Sequence, residues 1–272
     1  DARVGQPRDR ELLDWAVACF RDFEAATGIF LTTGQDLGHG LMSDGRTQSL
    51  GYLNARFRGS VRADTSVPTA AGNFHLLAGM LAGVGIDPAE ASVAMVGAGH
   101  IGRRMIDRLL PMGTRVLACE LNAGTRRTLE GRGVRTWPAE AVREVVAQPV
   151  DAVVVNAAGG TLEMATCEAI ARNPRVQVVC GSENLTMPDP RGTDVLLAGR
   201  TAFAPTELGG MMGYLTAVEE YLSVRAGQPF ALETVLDAAR RLEDVGREVM
   251  QAVVASGWTK SFEQVVRETY SA

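Results

Sequence analysis

The residues that build metal and disulfide frameworks are scarce in this chain. Its four cysteines, Cys19, Cys119, Cys167 and Cys180, are dispersed and form no Cys-x-x-Cys pair, so neither a disulfide framework nor a zinc cluster is indicated. Three separated histidines make no metal constellation. No Lys/Arg tract is present and the net charge is -5, so no nucleic-acid partner is expected. No apolar stretch reaches the ~18 residues of a membrane span. The first apolar segment carries Asp14, Arg21 and Asp22, unlike a signal peptide, and a cytoplasmic protein without membrane contact is expected.

What is present is a chain of 272 residues, 46% of them hydrophobic, enough for one large or two modest domains with a sizeable core. Residues 9 to 27 set Leu12, Leu13, Ala16, Cys19, Phe20 and Phe23 at helical spacing and stop at Gly28. GIFLTTGQDLGHG reads as a short strand running into a glycine-broken loop, and residues 41 to 68 are polar with no clear period. PTAAGNFHLLAGMLAGVG is a helix that opens at Pro68 and closes on glycines.

From residue 91 the pattern becomes regular. The strands ASVAMVG, TRVLACE, DAVVVNAA and VQVVCG alternate with helical stretches, the signature of an α/β parallel sheet covered on both faces. Two long helical stretches, 208 to 226 and 231 to 253, and a shorter one finish the chain. Three parts follow: a substrate-side remainder over 1–68, a Rossmann dinucleotide domain over 69–205, and C-terminal helices over 206–272.

VAMVGAGHIGRRM, residues 93 to 105, places a Gly-x-Gly-x-x-Gly turn between a strand and a helix. Gly97 makes the tight turn, Gly99 lets backbone approach a pyrophosphate, and Gly102 lets helix and strand pack closely. His100 and Ile101 open the helix, whose N–H groups and dipole favour phosphate. Glu120 ends the next strand 18 residues beyond Gly102, where an acid binds ribose hydroxyls and repels a 2′-phosphate. NAD is therefore the expected cofactor over NADP. Arg126 and Arg127 either soften that preference or are solvated helix charges.

Five further segments carry a resemblance. NAAGGTLEMAT (156 to 166), VVCGSENLTMPDPRGTDVLL (178 to 197) and APTELGGMMGYLTAVEEYL (204 to 222) follow in order, after GIFLTTGQDLGHGL and DTSVPTAAG upstream. Together they resemble the amino-acid dehydrogenases that act on leucine, valine, phenylalanine and glutamate, nearest the leucine/valine/phenylalanine branch. The resemblance implies a two-domain dehydrogenase with Asp36 catalytic and Thr69 against the nicotinamide. Asn156, Ala157 and Ala158 would line the cofactor cleft, and Asn184 would approach the nicotinamide ribose. It implies a homo-oligomer as well.

Two departures stand out. Such enzymes activate their substrate with two lysines ahead of the first helix of this chain, yet Lys260 is its single lysine. The chain starts at Asp1 without Met; an upstream lysine-bearing segment is expected, the alternative being a protein that has lost it and does different work. Glu207 stands where the resemblance implies a substrate-binding asparagine. An acid there suits a substrate with an extra amine or one with no carboxylate at that point; alternatively the alignment is shifted and Glu207 serves the helix N-terminus. His39, after Asp36, is a second acid–base candidate or a structural histidine, and His75 is read as structural.

The implied reaction is reversible oxidative deamination of an L-amino acid to a 2-oxo acid and ammonia. Two alternatives stay open: a divergent imine reductase or amine dehydrogenase of specialised metabolism, and a non-catalytic dinucleotide-binding subunit.

Overall fold

The structure is a computed structural model that describes residues 3–31, 40–59 and 62–270. The chain divides into two compact units, one comprising Asp1–Thr65 with Gly213–Val235, the other Ser66–Met212 with Leu236–Ala272.

The first unit opens with α1 (Asp9–Thr27), which ends because Gly28 takes a left-handed φ of 68° and returns its N–H to the Glu24 carbonyl. Leu13 and Val17 of α1 pack with Met42, Tyr52, Leu53 and Phe57 into a small core. The segment without a clear period contains α2 (Ser49–Asn54), too short at six residues to display a helical repeat. Residues 28–31, the described start of the expected GIFLTT strand, are not a strand. Their donors go elsewhere: Leu31 N–H to a Glu24 carboxylate oxygen at 2.9 Å and Ile29 N–H to Thr27 Oγ1 at 3.1 Å. Asp9, almost wholly buried, accepts from Gly5 N, Ser43 N and Ser43 Oγ.

The second unit is built on a six-stranded parallel sheet in the order β3-β2-β1-β4-β5-β6. Its strands are β1 (Ser92–Val96), β2 (Arg115–Cys119), β3 (Arg135–Trp137), β4 (Ala152–Val155), β5 (Val178–Gly181) and β6 (Ala202–Phe203). Strands β1, β4 and β5 are buried along their whole length, which is why they read as continuous apolar runs rather than alternations. The helices are α3 (Ser66–Gly83), α4 (His100–Leu109), α5 (Ala123–Glu130), α6 (Val142–Val146), α7 (Met164–Ala171), α8 (Gly192–Ala198), the start of α9 (Thr206–Ala226), most of α10 (Leu232–Ala255) and α11 (Phe262–Tyr270). Connections β1-α4-β2, β2-α5-β3, β4-α7-β5 and β5-α8-β6 are the helical crossovers that parallel pairing demands.

At the amino ends of β1 and β4 a carboxylate takes the place of ladder bonds. Asp151 accepts from Ser92 N at 2.7 Å and from Arg175 Nε at 2.7 Å. No helix among the described residues is long and apolar enough to cross a membrane. Three cysteines sit in this core, and burial pushes the Cys119 and Cys167 thiols up to about 11 and Cys180 to about 12. Thiolate is the reactive form. A thiol reagent at mildly alkaline pH is therefore expected to label Cys19 alone in the native protein and all four cysteines after denaturation. Fast labelling of a second cysteine in the native state would contradict the packing.

Candidate dinucleotide site

Strand order reverses between β1 and β4, because β1 leads to β2 on one side and pairs with β4 on the other. In such sheets ligands bind in the crevice beyond the carboxyl ends of these strands. The crevice is lined on the β1 side by the glycine turn. Gly97 has a φ of 85°, closed to most side chains, and its N–H donates to the Cys119 carbonyl at 2.8 Å. A Cβ on Gly97 would stand 2.6 Å from the Asn156 carbonyl oxygen, so the ends of β1 and β4 touch there. A Cβ on Gly102 would stand 2.0 Å from the Gly97 carbonyl oxygen, which brings α4 hard against the turn.

Gly99 behaves differently. A Cβ there would meet nothing within 4 Å, so this residue faces open ground at the mouth of α4. Having no side chain, Gly99 cannot cap the first-turn N–H groups. That leaves a cradle of the kind a pyrophosphate occupies. His100 is exposed and Ile101 half-buried in that first turn.

Glu120 lies one residue beyond β2. One carboxylate oxygen accepts from Ala98 N at 2.7 Å, inside the glycine turn, and the other from Asn122 N at 2.8 Å. The acid is thereby held against the turn in a defined orientation while each oxygen keeps further acceptor capacity. Arg126 donates to the carbonyls of Glu120 and Leu121 at 2.6 and 2.8 Å. Its guanidinium is anchored to the backbone beside the acid, whereas Arg127 is exposed.

On the β4 side Asn156 is spent internally. Its Oδ1 accepts from Ser182 N and Oγ at 3.1 and 2.8 Å, and Nδ2 faces the sulfurs of Met95 and Met105, each at 3.4 Å. Ala157 and Ala158 follow on an exposed loop, and Asn184, also exposed, lies close enough that a Cβ on Gly159 would meet its carbonyl oxygen at 3.3 Å.

Thr69 is buried on α3, and its carbonyl accepts from Asn73 Nδ2 at 3.2 Å. Asn73 Oδ1 is buried without a hydrogen-bond partner and faces Gly209, whose Cβ would stand 2.7 Å from it. The same Cβ would be only 1.7 Å from the Gly181 carbonyl, so the start of α9 rests directly on the end of β5. Glu207, exposed, is two residues earlier in that first helical turn. Thus the glycine turn, Glu120, Asn156 and the start of α9 lie at the carboxyl ends of the strands, with Asn73 of α3 beside Gly209. Asp36 and His39 lie outside the described residues. His75, on α3, is hydrogen-bonded through Nδ1 to a Glu243 carboxylate oxygen at 2.9 Å. Among the described residues no group of three His, Cys, Asp or Glu is placed to hold a metal ion.

Solved structures share this architecture. An L-tryptophan dehydrogenase from Nostoc punctiforme superposes with a TM-score of 0.69 at 15% identity, over 94% of this chain and 70% of that one. A hetero-hexameric glutamate dehydrogenase from Thermus thermophilus, in a leucine-bound form, gives 0.58 at 17% identity, over 94% of this chain and 58% of that one. A Plasmodium falciparum glutamate dehydrogenase gives 0.56 at 12%, over 80% of this chain and 54% of its own. The fold is that of the amino-acid dehydrogenases.

The chain spans only a little over half the length of these glutamate dehydrogenases. No family model matches it, and no curated protein matches it in sequence. The resemblance drawn from GSEN and from the GG-opened helix therefore agrees with the three-dimensional architecture while overall identity is low. Two residues at this edge escaped the sequence reading. Ser182 fixes Asn156, and Glu183 is a buried carboxylate that holds the loop after β4. Both lie inside the GSEN motif, where an acid two residues after a fully buried strand is the signal that would have found Glu183.

Proposed function

We propose that this chain carries the nucleotide-binding part, and some of the substrate side, of an NAD-dependent dehydrogenase that deaminates an L-amino acid oxidatively. The observation that carries the reading is the open cradle at Gly99 with Glu120 turned onto the same loop, on the fold of amino-acid dehydrogenases. These residues fit a dinucleotide: the α4 N-terminus would hold the pyrophosphate, and Glu120 the adenosine ribose. Thr69, Ala157, Ala158 and Asn184, with the backbone at Asn156, would hold the nicotinamide half.

NAD supplies a hydride acceptor when bound. The protein's part is orientation and proton handling. Asp36, with His39 as the other candidate, would take the amine proton as the α-carbon hydride departs and the substrate becomes an imine. The same groups would then deliver water, whose addition and the loss of ammonia leave the 2-oxo acid. Glu207, exposed in the first turn of α9, would favour a substrate bearing a second amine over one presenting only a carboxylate. That carboxylate also favours a second reading, an enzyme that reduces an imine or oxidises an amine lacking the α-carboxylate. Assembly with further copies and a cytoplasmic setting belong to the same proposal.

The test is a fluorescence titration of the purified protein with NADH and NADPH, followed by an amino-acid panel that includes diamino acids. NADH binding at least tenfold tighter than NADPH, with reduction of NAD by one of the amino acids, is expected. Absence of NADH binding would sink the reading. Binding without turnover on any amino acid or amine would instead support a non-catalytic subunit.

A further inference from the structure

Glu183 is 2% exposed, yet no lysine, arginine or histidine pairs with it among the described residues. A buried carboxylate in that position is costly unless its oxygens are fully hydrogen-bonded. Its acceptors are taken up by one loop. Oε1 accepts from Thr161 N at 2.9 Å, and Oε2 accepts from Ala157 N at 3.1 Å and Thr161 Oγ1 at 2.6 Å. The loop 157–161 is thus wrapped around an anion supplied by the chain itself.

Four other hydrogen bonds fix both partners. The Val155 carbonyl accepts from Ser182 N and Glu183 N, which curls the end of β5 over the end of β4. Gly160 N donates to the Leu185 carbonyl, and Leu162 N to the Thr186 carbonyl, so the loop is stitched to the GSEN segment on its far side as well. Leu185 accepts a left-handed φ of 49° and 89% exposure within this arrangement. The loop matters because it is the wall of the crevice opposite α4: a Cβ on Gly97 would stand 2.8 Å from Ala157 N. With its N–H turned inward to Glu183, Ala157 presents its outer face, and that of Ala158 and Gly159, to solvent.

We infer that Glu183 is a positioning residue of the dinucleotide site, its buried carboxylate holding the loop 157–161 in the shape that receives the cofactor. This rests on the proposed dinucleotide binding. Without the carboxylate, two amides and a hydroxyl lose their acceptor, and the loop must be ordered anew each time a ligand binds, which weakens binding.

The test uses the full chain. In Glu183→Gln one oxygen is replaced by an NH2 that faces a donor. Amide hydrogen exchange at 157–161 is expected to accelerate and the NADH dissociation constant to rise about tenfold. The KM for NAD should rise with it while kcat stays within about twofold. Thr161→Val should show a smaller shift of the same kind, and Thr161→Ser, which keeps the hydroxyl, should bind NADH as the natural protein does. This pair decides the matter if Glu183→Gln does not fold. Faster exchange with unchanged NADH affinity would overturn the inference by making the tie merely structural, and so would exchange that does not change. Failure of the natural protein to bind NADH would overturn the underlying proposal instead, and that control separates the two.

Discussion

Gly209→Ala is expected to destabilise the protein by about 3 kcal/mol, while Gly210→Ala leaves it as stable or slightly more so. A methyl group on Gly209 would lie 1.7 Å from the Gly181 carbonyl oxygen and 2.7 Å from Asn73 Oδ1. Neither can retreat cheaply. Gly181 is itself pressed against the Val155 carbonyl, where its own Cβ would stand 1.9 Å away, so β4, β5 and α9 are stacked backbone on backbone. Overpacking in such a place costs about 1–3 kcal/mol and sometimes more. At roughly 2–4 °C per kcal/mol for a chain of this size, the midpoint should fall by roughly 6–12 °C. Gly210 is the control: its Cβ would meet nothing within 4 Å, and alanine in a helix interior is favoured over glycine by roughly 0.5–1 kcal/mol. Thermal melts of the two variants decide it. Equal midpoints would show that α9 does not rest on β5 as described.

The second large effect falls on cofactor choice. Glu120→Ala is expected to weaken NADH binding by roughly 10- to 100-fold, the loss of one to two hydrogen bonds to a charged group at about 1.5–3 kcal/mol each, partly offset by water. NADPH binding should weaken far less or improve, because the carboxylate that repels a 2′-phosphate is gone and Arg126 remains anchored beside it. The two cofactors should therefore approach parity. The substitution also leaves Ala98 N and Asn122 N without their acceptor, which loosens the glycine turn. Glu120→Gln, which preserves one acceptor and the side-chain volume, should lie between. Parallel titrations with both cofactors measure the ratio. If NADH discrimination survives in Glu120→Ala, selectivity originates elsewhere than at the end of β2.

The sheet half of this fold was open to reading because its strands are buried on both faces. ASVAMVG, TRVLACE, DAVVVNAA and VQVVCG are apolar without alternation, and each became a strand. The edges were not. β3 and β6 have three and two residues, β3 is exposed or half-buried throughout, and neither leaves a hydrophobic run to detect. α2 and α8 are shorter than two full helical turns and carry no usable period. In the site, glycines with defined jobs were legible from their spacing, because the geometry of a phosphate turn admits little else. Glu183 was not, since an acid reads as surface until its partners are known, and those partners are amides 22 and 26 residues away. Asn156 shows the opposite case: the residue was found, but its side chain is spent on Ser182 and two methionine sulfurs.

The two margins of the sheet have a bearing on whether another chain could extend it. A strand recruits a stranger by offering a row of free amides and carbonyls, and the length of the row sets how firmly the stranger is held. Here one margin offers three residues, with Arg135 stacked on Trp137 along it, and the other only two. Neither is long enough to seed a sheet that continues from one molecule into the next. Any contact made through this sheet then depends on the side chains around its margins rather than on shared backbone pairing.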